Sequence, residues 1–256
     1  MRSTSTPAPA IPSRGFQASP TTVASEIDLT GSACLPAAVP QEWLDAVRNY
    51  ADTVPTGVHE VMLQGDSASG LPFLRDLTSN PDLCALLHAV TDAAHPTADT
   101  SKSGIECALR VISGADPADR PLWFHYDASV VTVVLPIVIP EAAPGQSGEL
   151  VIYPNRRPYR RWAVTNVLEK AVTQSDTFRR RFVRRLNLHR DAETVQLQPG
   201  NAYLFWGYRS YHATMPVAPG SKRVTVILHY RDVHARSQIV KYAKAFRHGM
   251  VGFGGM

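Results

Sequence analysis

The sequence predicts a mainly β fold with flanking helices, a β-sandwich or barrel buttressed by an N-terminal helical half. Two observations carry this. Apolar residues recur at helical spacing across residues 40–103, and after residue 104 the pattern changes to short β-branched runs punctuated by Pro and Gly. Helices first and strands afterwards set the helices against the strands as a buttress.

Each element follows from its residues. Residues 1–40 hold six prolines among Ser, Thr and Ala, so 1–39 reads as a flexible leader with one short strand at "SEIDLT". A single domain then spans 40–256. Its helical buttress, 40–103, opens with Trp43, Leu44, Val47, Tyr50 and Ala51 at helical spacing after Pro40. A second helix fits "SNPDLCALLHAVTDAAH", capped by Asn80 or Ser79, with Pro81 at its first position and a stop before Pro96. The β core, 104–232, comprises "GIECALRVIS", "VVTVVLPIVIP", "GELVIYP", "ETVQLQPGNAYLFWG", "YHATMPV" and "KRVTVILHYRD". A helical insert is expected at about 156–190, and a C-terminal helix with a Gly-rich tail at 233–256.

Composition narrows the function. The chain of 256 residues is 44% hydrophobic and 19% charged, enough for a large core. No apolar run reaches bilayer length, and the N-terminus lacks the apolar stretch of a signal peptide. Cys34, Cys84 and Cys107 are scattered without a CxxC pair, which points away from a thiolate zinc site or disulfide framework and towards a reducing cytoplasm. The net charge is +4, yet residues 156–190 alone carry eleven Lys or Arg against two acids. Basic character is therefore local, and no nucleic-acid motif or aromatic platform accompanies it.

The chemistry begins at "LWFHYDAS", where His125 and Asp127 open an apolar strand. In a strand, residues i and i+2 share a face, so the two side chains project together. A buried carboxylate needs compensation, and a metal ion supplies it while taking a neutral imidazole nitrogen. A third ligand must come from His189, His212, His229, His234 or His248. His212 stands out, opening a β-run after "PGNAYLFWG". Eleven residues later Arg223 lies inside the β-forming run "KRVTVILHY", with Thr225 on the same strand face. A buried arginine asks for a carboxylate or phosphate in bidentate geometry.

HxD, a distant His, and an Arg shortly after it, all on β-strands, resemble the Fe(II)/2-oxoglutarate-dependent oxygenase superfamily. The likeness covers residues 104–232 and includes the softer "GEL" and "PGNAYLF" segments. It implies a double-stranded β-helix, the jelly-roll or cupin-like architecture, with iron at one mouth of the barrel. It also implies that His125, Asp127 and His212 form the facial triad, and that Arg223, assisted by Thr225, binds the distal carboxylate of 2-oxoglutarate. Such a triad leaves three positions of an octahedral iron open, two for the 2-oxo acid and one for O2. Oxidative decarboxylation would release succinate and CO2 and oxidise a substrate. Related halogenases replace the carboxylate with a small residue to admit chloride, so Asp127 favours oxygenation, desaturation or ring closure.

Other residues have both plain and functional readings. His229 reads as a hydrogen-bonded core histidine rather than a spare ligand. Arg110, Arg157, Trp206 and Tyr208 are the candidates for substrate contacts, set against a surface salt bridge for Arg110 and barrel packing for the aromatics. The Arg-rich insert reads as a solvated face or as a lid recruiting an anionic substrate or a carrier protein. The expected enzyme is a cytoplasmic dioxygenase acting on a small molecule, such as an amino acid or natural-product intermediate, with no nucleic-acid or membrane partner. The alternatives are a prolyl-type hydroxylase of protein side chains and a cupin-like metal-binding isomerase or binding module.

Overall fold

The alternation along strand β9, Lys222–Asp232, sorts the molecule into layers. Val224, Val226, Leu228 and Tyr230 join a core shared with the helices. Arg223, Thr225 and His229, on the other face, point between two sheets, as a two-residue period requires. The computed structural model describes residues 13–54, 60–94, 104–114, 122–159, 181 and 192–232.

The larger sheet is antiparallel and six-stranded, in the order β1-β7-β4-β9-β3-β2. Its strands are β1 (Ala33–Leu35), β2 (Glu60–Gln64), β3 (Ile105–Ser113), β4 (Ser129–Val138), β7 (Ala202–Phe205) and β9. The smaller sheet runs β6-β5-β8, with β5 at Leu150–Tyr153, β6 at Glu193–Val195 and β8 at Tyr211–Thr214. Val134, Leu150, Ile152, Leu197, Tyr203 and Phe205 fill the space between the two sheets. Pro136 is tolerated inside β4 because the register with β9 shifts there, at a bulge between Pro136 and Val138.

The helices cover the outer face of the larger sheet: α1 (Pro20–Thr30), α2 (Gln41–Asp52), α3 (Asp66–Ser69), α4 (Pro72–Thr78) and α5 (Pro81–Ala94). Helix α2 buries Trp43, Leu44, Val47 and Ala51, as its spacing predicts, and the Trp43 indole donates to the Phe73 carbonyl at 3.1 Å. Helix α5 starts as expected, with Asn80 Oδ1 accepting from the Leu83 amide at 3.0 Å and Pro81 opening the helix. No helix among the described residues is long and apolar enough to cross a membrane.

The leader expectation needs correction over residues 13–39. A short 3-10 turn at Ser13–Phe16, helix α1 and strand β1 are packed there, and Phe16, Val23 and Ile27 are part of the main core. "SEIDLT" is therefore helical: Val23, Ala24 and Ile27 fall on one helix face, which outweighs the short alternation read as a strand. Ser19 caps the helix, Pro20 begins it, and Gly31 at φ 93° ends it. "ETVQLQPGNAYLFWG" also divides: at Gly200, φ 92°, the chain leaves β6 in the small sheet and enters β7 in the large one. Strand β2 went unread because its edge position gives no apolar alternation. Residues 1–12, nearly all of the 156–190 insert and the 233–256 helix lie outside the described residues.

Candidate metal centre

His125 lies in an extended segment that joins the end of the small sheet through an isolated antiparallel bridge to His212 on β8. The His125 amide donates to the His212 carbonyl at 2.9 Å, and the His212 amide returns the bond at 3.0 Å. This pairing sets the two imidazoles side by side, with ring centroids 4.4 Å apart. Two residues on, the Asp127 amide donates to the Gly207 carbonyl at 3.0 Å, which turns the carboxylate to the same point. His125 Nε2 is 3.5 Å from Asp127 Oδ1, and His212 Nε2 is 3.4 Å from Oδ2. One donor atom from each of the three lies within 4.8 Å of the others, a spread that one metal ion can span.

The surroundings fix the chemistry of these donors. His125 Nδ1 faces the Trp123 carbonyl at 3.0 Å and His212 Nδ1 faces the Ser210 carbonyl at 3.1 Å. A carbonyl only accepts, so each Nδ1 carries hydrogen and each Nε2 presents a lone pair to the cluster. Burial pushes the His212 imidazole down to about 4, against the pull of Asp127, and leaves it neutral at neutral pH. Burial opposes the charge on Asp127, yet His212, His229 and His125 outweigh it and hold the carboxyl well below the usual range. Asp127 and His212 are buried, while the His125 side chain is 34% exposed, so the cluster opens on the His125 side. His229 joins this surround, with Nδ1 3.1 Å from Ser129 Oγ and 3.8 Å from Asp127 Oδ2.

Arg223, also between the sheets, is buried with its Nη1 on Thr225 Oγ1 at 3.2 Å and its Nε without a hydrogen-bond partner among the described residues. Burial and the neighbouring Arg110 push its guanidinium down to about 9, against Glu60 and Glu149. A buried cation in that state calls for an anion. Gly148, at φ 71°, makes room for the arginine side chain: a Cβ there would come within 2.7 Å of Arg223 Nε. A planar carboxylate is the partner that a buried guanidinium in this state fits.

No protein-family model matches the sequence, and a search of curated proteins finds no match. Solved structures do. The α-ketoglutarate-dependent epimerase SnoN from nogalamycin biosynthesis superposes with a TM-score of 0.58 at 13% identity, over 83% of each chain. A prolyl-4-hydroxylase from Pseudomonas putida gives 0.52 at 10%, over 87% of this chain and 96% of that one. HygX from Streptomyces hygroscopicus, with nickel and 2-oxoglutarate bound, gives 0.55 at 11%, over 83% and 87%. The fold is that of the Fe(II)/2-oxoglutarate oxygenases. It is the double-stranded β-helix that the HxD, His and Arg pattern implied.

Within this oxygenase fold, the side chains expected at a substrate are engaged elsewhere. Arg110 makes a two-pronged pair with Glu60, at 2.8 and 3.2 Å, and donates to Thr214 Oγ1 at 3.0 Å. Trp206 is buried on the helix side, its indole donating to Asp28 Oδ1 at 2.9 Å. The Arg157 guanidinium is clamped between the rings of Tyr126 and Tyr208, 4.1 and 4.0 Å from their centroids, and Nε donates to the Tyr208 carbonyl. Tyr208 is buried in that stack and against Tyr159. What the four share is an engagement inside the protein: a salt bridge for Arg110, an indole hydrogen bond for Trp206, and ring stacking for Arg157 and Tyr208. Sequence reading missed Thr132, Ser129 and Gly207, which touch or flank Asp127. The available signal was polar residues and a glycine inside otherwise apolar runs.

Proposed function

We propose that the protein is a non-haem Fe(II)/2-oxoglutarate-dependent dioxygenase that oxidises a small molecule, by hydroxylation in the first instance. The observation that carries this is the meeting of His125, Asp127 and His212 at one point, on a fold that also buries Arg223 with a donor unpartnered among the described residues. His125 Nε2, His212 Nε2 and a carboxylate oxygen of Asp127 hold the iron. Arg223, with Thr225, receives the far carboxylate of 2-oxoglutarate. Bound iron, 2-oxoglutarate and O2 together supply the oxidising power, with release of succinate and CO2. The chain's own part is to hold each imidazole in one tautomer through the Trp123 and Ser210 carbonyls. It also excludes water around Asp127 and leaves the His125 edge open for the substrate.

A small molecule, such as a natural-product intermediate, is the substrate class of the first reading, and two of the neighbours support it. SnoN has been solved with Fe3+, α-ketoglutarate and nogalamycin RO, and HygX with nickel, 2-oxoglutarate and hygromycin B. A prolyl-type hydroxylase is the second reading, favoured by a Trichoplax adhaerens prolyl hydroxylase of similar fold solved with a peptide. A cupin-like isomerase has no use for Arg223, a buried guanidinium set beside its own glycine cradle. The arginines of the insert and an anionic or carrier-bound substrate extend the proposal, and Arg157 does not contribute to it.

The test is substrate-stimulated succinate formation across a panel of amino acids, glycosylated and polycyclic small molecules and proline-containing peptides. Stimulation by small molecules supports the first reading. Stimulation by peptides alone replaces it with the second.

A further inference from the structure

Asp127 is held by a chain of hydroxyls that no metal-binding role requires by itself. Thr132 Oγ1 donates to Asp127 Oδ2 at 2.5 Å. Ser129 Oγ is 3.1 Å from Thr132 Oγ1, and His229 Nδ1 is 3.1 Å from Ser129 Oγ and 3.4 Å from Thr132 Oγ1. Thr132 and Ser129 are buried, and Thr132 and His229 are cross-strand partners in the β4–β9 ladder. Space for this contact comes from Gly207, where a Cβ would collide with Thr132 Oγ1 and come within 2.7 Å of Asp127 Oδ2.

Hydrogen accounting gives the chain a direction. An ionised carboxylate only accepts, so the single Thr132 hydroxyl hydrogen goes to Oδ2. Thr132 Oγ1 must then accept, and the Ser129 hydroxyl is in place to donate to it. Ser129 accepts in turn from His229 Nδ1–H. One lone pair of Oδ2 is thereby occupied and the carboxylate plane is pinned. Oδ1 is left as the oxygen with no hydrogen-bond donor among the described side chains, 3.5 Å from His125 Nε2.

We propose that Thr132 is a positioning residue that restricts Asp127 to one-oxygen coordination, with Ser129 and His229 orienting its hydroxyl. This rests on reading His125, Asp127 and His212 as the iron ligands. A carboxylate free to rotate can bind a metal through both oxygens and so occupy a position that the 2-oxo acid needs. Pinning Oδ2 keeps that position open.

The experiment is an anaerobic titration of the full chain with Fe(II) and then 2-oxoglutarate, following the charge-transfer absorption of the chelated 2-oxo acid. Circular dichroism and melting temperature monitor the fold. Thr132→Val, which keeps shape and loses the hydroxyl, should bind 2-oxoglutarate about tenfold more weakly at saturating iron or give a diminished band. Thr132→Ser should restore both. Ser129→Ala, which leaves the threonine in place, should show a smaller loss in the same direction and serves if Thr132→Val fails to fold. Wild-type band and affinity in Thr132→Val, or in Ser129→Ala where Thr132→Val does not fold, overturn the proposal while the iron reading stands. A wild-type protein that binds iron and 2-oxoglutarate without any such band overturns the iron reading and this proposal with it.

Discussion

Gly148 and Arg223 are fitted to each other across the two sheets. Gly148 takes φ 71°, and its missing Cβ is the space occupied by the Arg223 side chain near Cδ and Nε. The "GEL" segment is thus a shape requirement imposed by a buried guanidinium, and Glu149 beside it is satisfied locally by the Gly145 and Ser147 amides at 2.8 and 3.1 Å.

Gly148→Ala should therefore act as a mutation of Arg223. The Michaelis constant for 2-oxoglutarate should rise about tenfold or more, the size of one lost charge-assisted hydrogen bond. Arg223→Lys should do the same, since it keeps charge and loses the planar fork. Ferrous affinity, measured by anaerobic titration, should change little in either. An unchanged 2-oxoglutarate constant in Arg223→Lys would transfer the anchoring role to Arg110, on the neighbouring strand.

Arg157 should prove structural. Its guanidinium joins Tyr126, the residue between two of the candidate ligands, to the turn carrying Gly207 and Ser210. Arg157→Gln loses two ring contacts and a charged hydrogen bond, so unfolding free energy should fall by about 3 kcal/mol. Denaturant melts of the purified variant give this directly. A variant of wild-type stability with only a raised substrate constant would restore Arg157 to the substrate.

The cysteines should separate by burial. Cys34 is exposed, and burial pushes the Cys107 thiol up to about 12. Iodoacetamide near pH 8 should modify Cys34 first and Cys107 last. The sign of the linked stability follows. Between the ordinary thiol range near 9 and about 12 the folded chain keeps a proton that the unfolded chain releases, so stability falls as pH rises through that window. Rapid labelling of Cys107 in the native protein would contradict the packing of β3.

The strand core and the clustering of the candidate ligands were legible because each rests on a local rule. Apolar β-branched runs punctuated by Pro and Gly read out β3, β4, β5, β8 and β9, and i,i+2 geometry puts His125 with Asp127. Helix α1 is hard to read from the sequence because its apolar stripe is narrow and it lies in a stretch, residues 1–40, that is rich in Pro, Ser, Thr and Ala. The layer that Trp206 and Arg157 occupy was not legible for another reason. A strand pattern tells which residues share a face, whereas the layer that face meets depends on chain crossings such as the one at Gly200. The Thr132–Ser129–His229 chain was invisible because His229 comes from the other end of the β core and meets Ser129 and Thr132 only through the β4–β9 register.

The most direct test of the central claim is succinate release from 2-oxoglutarate by the full chain with ferrous iron and ascorbate, without added substrate, in wild type and in Asp127→Ala and His212→Ala. Uncoupled turnover makes knowledge of the substrate unnecessary. Wild type should release succinate in proportion to bound iron, and both variants should stay folded by circular dichroism while losing ferrous binding and release together. Succinate release by Asp127→Ala equal to wild type, or none from an iron-loaded wild type, would contradict the account.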